Sequence, residues 1–390
     1  MEISMRTALI IGSPDSIHTV NFIDSVLING NKVDRIDLLS IDHGCKIEEE
    51  YRLFYEKNQI NIIFSDTKFG FNRLAKKIDY ILRKTMALFH LTRKTRYDFC
   101  FILYCSQYNA LWGGMFKSHF SKLIPVFWGG DVLRNTKLKS NTFEKMLINS
   151  HKIIMPNLNT MRVFNEKTNS KYSEKTLVIQ YPQKMVSALE QAEQNLNTNE
   201  CKKLFGLPCD KKIVICGHTA TRAENYEEVI RNLEKCREDI LRKCFFVFMM
   251  TYAPEEYHSY QKEICSLLDS SKLNGIVLKD FIPYNNVLKL HYAGDIHITA
   301  IKTDALSCFL QEELFSGSIL LYGKWLNYFE LENEAFSSYS FNEICELPEL
   351  LNDVIDNFEK YRQDAKKNRQ GIIDLASEQA IINEWNEKVF

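Results

Sequence analysis

Along the chain, short runs of consecutive apolar residues alternate with longer stretches whose apolar positions recur every three to four residues. A continuous apolar run suits a strand buried on both faces of a parallel sheet, and the helical spacing between runs suits crossover helices lying on those faces. In the first half the runs predict strands at Thr7–Ile11, Lys32–Leu38, Gln59–Phe64, Asp98–Tyr104, Ile124–Trp128 and Lys152–Met155. A polar stretch, Gln191 to Glu200, follows Tyr181-Pro182 and precedes a second series at Lys212–Cys216, Cys244–Met250, Gly275–Lys279, Asp295–Thr299 and Ile319–Tyr322. From Phe341 onward the pattern predicts a long polar helical stretch. The expected fold is therefore α/β, with doubly wound Rossmann-like domains over 1–185 and 186–370 and a terminal helix over 371–390 that crosses back to the first domain. Two such domains are expected to face a cleft at the carboxyl ends of both sheets, which places any chemistry in strand-end loops.

Composition changes this picture little. At 390 residues, with 45% hydrophobic and 25% charged residues, the chain has globular averages and length for two cores. No run of eighteen apolar residues appears, and the first apolar stretch breaks at Gly12 and Pro14, so a cytoplasmic protein is expected. The eleven cysteines show no zinc spacing and many, such as Cys100, Cys105, Cys216 and Cys244, sit in strand-like runs as reduced core residues would. No histidine pair has HxxxH spacing and no D-x-D occurs, so no metal and no cofactor are expected. The net charge of −1 hides a polarity: residues 68–140 hold fourteen Lys or Arg against three acids, and residues 323–390 hold seven against fourteen.

The densest candidate chemistry lies in AGDIHITAIKTDALSCFLQEELFSGSILLYGKW, residues 293–325. This reads as a buried strand, a polar loop, a helix starting near Leu306 or Ser307, a glycine stop and another strand. The first amides of such a helix lack intrahelical partners and carry the positive end of its dipole, which suits a diphosphate. Ala305, Leu306 and Ser307 would supply that cradle and Lys302 a further charge. The D-x7-E spacing of Asp304 and Glu312, with Gly317 five residues on, resembles the E-x7-E signature of family 4 (group 1) glycosyltransferases of the GT-B fold. The resemblance implies a nucleoside-diphosphate sugar as substrate, with Asp304 beside the donor sugar and Glu312 on the ribose hydroxyls. Asp in place of the first Glu is a departure, and it leaves open that Asp304 is only a helix cap and Glu312 and Glu313 a solvated face.

Other strand-end loops extend the resemblance. GHTATRAEN, 217–225, is similar to the first loop of the GT-B donor domain, and weakly to that of the enterobacterial common antigen fucosamine transferase. This implies Gly217 and Thr219 near phosphate with Arg222 neutralising it. KDFIPYNN, 279–286, resembles the stretch whose backbone meets the base, here Phe281, Ile282 and Pro283. In the first domain Gly12, His18 and Thr19 stand where the family's N-terminal loop approaches phosphate and acceptor. PVFWGGDV resembles the family's H-G-S-D segment, with Trp128 in place of histidine, flanked by Gly129 and Gly130. Catalytic duty is then expected of Asp131, which would orient or deprotonate the acceptor hydroxyl, with His18 assisting.

Residues 68–96 interleave apolar residues with nine cations (Lys68, Arg73, Lys76, Lys77, Arg83, Lys84, Arg93, Lys94 and Arg96), which predicts a basic amphipathic helix on an anionic membrane face. No nucleic-acid motif accompanies this charge. The expected function is transfer of a hexose-type sugar to a hydroxyl of a lipid-linked surface glycan, the resemblance favouring retention of configuration, by an enzyme peripheral on the inner membrane face. Two rivals stay open. A non-hydrolysing sugar-nucleotide epimerase would need more inward-facing acids and histidines, and a catalytically silent GT-B subunit would bind donor without turnover.

Overall fold

The computed structural model describes the backbone of residues 5–30, 32–42, 47–64, 73–182, 184–193, 196–251 and 257–390, and within these all side chains except those of 73–76, 185, 192 and 284. The chain forms two compact units, Met1–Gln183 with Glu378–Phe390, and Lys184–Ser377.

Unit 1 is built on β1 (Thr7–Gly12), β2 (Arg35–Ser40), β3 (Asn61–Ile63), β4 (Tyr97–Leu103), β5 (Phe120–Val126), β6 (Ile153–Met155) and β7 (Thr176–Val178). They form one parallel sheet in the order β3-β2-β1-β4-β5-β6-β7, with Leu9 facing Asp37 on one side and Cys100 on the other. Ala8 to Ile11 are fully buried, as a strand covered on both faces requires. Asp37 is a buried charge in β2, and it is retained because Tyr97 Oη, Asn61 Nδ2 and Arg35 donate to it at 2.7, 2.8 and 2.9 Å.

The helix Glu378–Lys388 belongs to this unit: Trp385 packs edge-on against Phe22 and Phe101. Lys122 Nζ donates to the carbonyls of Val389 and Phe390 at 3.3 and 3.4 Å. The basic stretch forms α1 (Arg73–Lys94), whose Tyr80, Lys84, Leu88 and Thr92 are buried at four-residue spacing. Lys84 is thus a buried residue rather than part of a cationic face, and Arg83 is tied to Asp79 at 2.8 Å. Residues 68–72 and the side chains of Arg73 and Lys76 lie outside the described residues.

Unit 2 contains β8 (Lys212–Cys216), β9 (Cys244–Met249), β10 (Gly275–Leu278), β11 (Ile296–Thr299), β12 (Ile319–Gly323) and β13 (Ser338–Phe341), parallel and in the order β10-β9-β8-β11-β12-β13. Two of its helices matter below, α2 (Tyr284–Ala293) and α3 (Cys308–Ser316). β7 and β13 are not foreseen by the apolar pattern, because Thr176-Leu-Val and Ser338-Tyr-Ser-Phe are short edge strands without a continuous apolar run. The helical stretch expected from Phe341 onward follows β13 and is divided into the α-helices Leu347–Asp356, Phe358–Ala365, Asn368–Ala376 and Glu378–Lys388. Among the described residues no helix is long and apolar enough to cross a membrane.

Candidate functional site

In unit 2 the strand order reverses between β8 and β11, so the loops leaving these strands flank the switch point at which such sheets bind ligands. The loop after β8 turns at Gly217, whose φ of +61° and packing both demand glycine: a Cβ there would lie 2.4 Å from Tyr226 Oη. Tyr226 is itself fixed, donating to the carbonyls of Thr219 at 2.8 Å and of Met249. Glu224, buried, accepts at one oxygen from the Thr219 amide (3.1 Å) and hydroxyl (2.8 Å); its other oxygen is buried without a partner among the described residues. Burial pushes this carboxyl's pKa up.

The loop after β11 is pinned to the first, since Asn225 Nδ2 donates to Ala300 O at 2.6 Å and the Lys302 amide to Ala223 O at 2.8 Å. It then passes through Leu306 at φ +55°, a rare conformation for a branched side chain, and enters α3 with Ser307 as the residue before the first turn. Asp304 shapes this entry: its Oδ2 accepts from the Ser307 amide and from Tyr328 Oη, both at 2.8 Å. The first turn of α3 thus opens between the two pinned loops, as the sequence expects of a helix with small residues at its start.

On α3, Glu312 and Glu313 are both buried, and His291 of α2 lies between them. Its Nε2 is 2.8 Å from Glu312 Oε2 and its Nδ1 2.9 Å from Glu313 Oε1. Burial alone would lower the His291 pKa, but the charge of Glu313 and the hydrogen bonds to both glutamates outweigh it and carry the value to about 9. Glu313 also accepts from Ser318 Oγ and its pKa is lowered, burial being outweighed by the imidazolium; Glu312 is raised by burial. Glu313 is therefore no solvated face. Glu312 Oε1, buried, has no partner among the described residues. His218, His291 and His297 all pack on the Phe309 ring, at 5.7, 4.6 and 5.6 Å between centroids, and burial holds His297 neutral with a pKa of about 4. The described residues contain no group of acids, histidines and cysteines placed to hold a metal ion.

Other expected residues stand apart from this cluster. Arg222 is occupied at the surface by Glu227 (3.2 Å) and Glu263 (2.7 Å) and stacks on Tyr260. Lys302 is exposed. Phe281 is 67% exposed, so it is not a core residue, while Ile282 is partly buried and Pro283 precedes the first turn of α2. The loop expected after β9 lies outside the described residues beyond Thr251. His291 escaped sequence reading because nothing in α2 alone marks it; only its i, i+21 and i+22 relation to the glutamates does.

In unit 1 the switch point lies between β1 and β4. Gly12 ends β1, and an added Cβ would touch Leu103 and Thr19 at 3.4 and 3.5 Å. Thr19 is fully buried and its Oγ1 lacks a partner among the described residues. Gly129, at φ +99°, carries the chain into a short turn of helix where a Cβ on Gly130 would meet the Arg134 guanidinium at 2.4 Å. Asp131 is buried, and its two oxygens accept from the amides of Cys105 (2.7 Å) and Trp128 (2.8 Å), tying the loops after β4 and β5 together. Burial raises its pKa to about 6 against those hydrogen bonds. His18 is held neutral by burial and lies edge-on to Trp128 and Tyr181 at 4.9 and 5.2 Å. Tyr104, which sequence reading passed over as the end of a strand, completes the group at 5.6 Å from Trp128.

No known sequence family matches the chain, and no curated protein does. Solved structures do. The chain resembles Anabaena HepE (Alr3699), solved with UDP, at 14% identity over 99% of both chains and a TM-score of 0.74. It resembles a glycosyltransferase from Rickettsia africae at 12% identity over 98% of this chain and 97% of that one, with a TM-score of 0.73. A UDP-GlcNAc 2-epimerase from Neisseria meningitidis, bound to UDP-GlcNAc, matches at 14% identity over 98% and 100%, with a TM-score of 0.60. Together with the two parallel sheets, these likenesses establish that the chain has a two-domain α/β fold of the GT-B type.

Proposed function

We propose that the chain is a glycosyltransferase that moves a sugar from a nucleoside diphosphate to a hydroxyl of a lipid-linked surface glycan, without a divalent metal. The observation that carries this reading is Glu312 Oε1 on α3, buried and without a partner among the described residues, beside a helix entry that Asp304 caps at the switch point of unit 2. A carboxylate oxygen with no donor suits a ribose hydroxyl, and the first amides of α3 suit the diphosphate. Those amides would also stabilise the charge that develops as the diphosphate leaves. The amides of the loop after β8 are already met by Glu224, which shifts the phosphate role toward α3. HepE was solved with UDP and UDP-glucose, so uridine sugars are the first donors to try.

Asp304 acts here through the loop it holds, and Asp131 as the tie between two loops rather than as the base. On this account the acceptor is met by unit 1 and retention follows from the D-x7-E resemblance. The test is incubation of UDP-glucose and UDP-N-acetylglucosamine with membrane lipid extracts. Transfer of radiolabel to lipid with release of UDP supports the reading, and its absence with every sugar nucleotide opposes it. The buried His291 and His297 of unit 2, with His218 half-buried beside them on Phe309, favour the epimerase as second reading, since it requires more inward-facing acids and histidines. It predicts a changed sugar nucleotide without any acceptor, visible by proton NMR.

A further inference from the structure

We propose that the rings of Tyr104, Trp128 and His18 form a stacking platform for the apolar face of an acceptor pyranose; this rests on the glycosyltransferase reading and adds the chemistry of the acceptor. Tyr104 and Trp128 stand on the loops leaving β4 and β5, and His18 in the short helix Ile17–Asn21 that follows β1, at the switch point of unit 1. Tyr104 is the informative residue. Its φ is +62°, a conformation that bulky side chains avoid, and the surrounding chain enforces it. Its amide donates to Val126 O at 3.2 Å, and its carbonyl accepts from the Ser106 amide at 2.9 Å and from Asn109 Nδ2 at 2.7 Å. The next residue, Cys105, is fastened to Asp131, which fastens Trp128 as well.

All this fixes a ring that is not buried: Tyr104 is 40% exposed, and His18 and Trp128 are partly exposed. A strained aromatic residue held at the surface gains little from packing, so the arrangement points to a ligand. The rings are inclined, Trp128 at 60° to Tyr104 and at 62° to His18. Rings inclined in this way cannot sandwich a planar base, which calls for parallel faces. The electron-rich ring faces attract the polarised C–H bonds on one side of a pyranose, and the polar edges of Tyr and His suit its hydroxyls. Burial lowers the pKa of His18, which disfavours it as a partner for phosphate. The Trp128 Nε1–H, buried without an acceptor among the described residues, adds an unmet donor on the same ring.

Saturation-transfer NMR with the methyl glycosides of glucose, galactose and N-acetylglucosamine tests this, using wild type, Tyr104→Ala, Trp128→Leu and Trp128→Phe. Thermal shift with UDP sugars is run alongside. The expected result is transfer to the C–H protons of one ring face for at least one glycoside, weakened about tenfold in Tyr104→Ala and Trp128→Leu and regained in Trp128→Phe. Equal transfer in wild type and Tyr104→Ala, or none in wild type while a UDP sugar stabilises it, overturns the platform and leaves the transferase reading standing. Transfer that follows the rings in a protein no nucleotide sugar stabilises keeps the platform and overturns the transferase.

Discussion

His291 shows how one side chain can govern a site it was not expected to join. Its folded pKa of about 9 lies above the ordinary histidine value, so the protonated form is the one the fold favours. The stability it contributes is present in full below pH 6.5 and is lost as pH rises through about 9. Urea melts from pH 6 to 9.5 should show a decline on the order of 2 kcal/mol, which His291→Gln flattens. Gly217→Ala is expected to destabilise by about 1–3 kcal/mol, from left-handed backbone and a clash with Tyr226, and calorimetry reads it as a lower Tm. Glu312, Asp304 and Gly217 stand out in the sequence because each sits in a spaced local pattern. Glu313 and His291 were not legible, since a buried imidazolium between two carboxylates arises only when α2 and α3 meet. Tyr104 was hidden for a different reason: a positive φ at an aromatic residue leaves no mark in composition or period.

At the scale of elements, α3 depends on its entry. Asp304→Ala removes the acceptor for the Ser307 amide and for Tyr328 Oη, and should lower stability by about 1 kcal/mol in a urea melt while weakening UDP-sugar binding; Asp304→Asn should retain much of both. On α1, Ile78, Leu82, Met86 and Phe89 are each more than half exposed along one stripe, with Lys77, Arg93, Lys94 and Arg96 exposed nearby. That combination suits an anionic bilayer surface, where apolar area and charge add. Flotation with phosphatidylglycerol vesicles should carry the wild type and leave Leu82→Glu/Met86→Glu behind, with unchanged melting because both positions face outward. Equal flotation of the two proteins would rule the stripe out. Strands were legible wherever an uninterrupted apolar run meets burial on both faces, as in β1 and β8. β7 and β13 were not, because these two short edge strands carry no such run.

For the whole molecule, the alternation of runs and crossover helices made two parallel α/β sheets legible, while their orders, 3-2-1-4-5-6-7 and 3-2-1-4-5-6, are seen only in the structure. Structural neighbours at 11–14% identity share the fold, which shows how weakly it constrains individual side chains. The central claim is that α3 presents a nucleoside-diphosphate sugar site to which Glu312 contributes. Thermal shift of wild type and Glu312→Ala against a panel of UDP, GDP, ADP and dTDP sugars tests it most directly, because a ligand that binds only the folded state raises its melting temperature. The account predicts that one diphosphate sugar stabilises the wild type and that Glu312→Ala, still folded, loses the shift. A wild type that no nucleotide sugar stabilises, or a variant that responds as strongly, would contradict it.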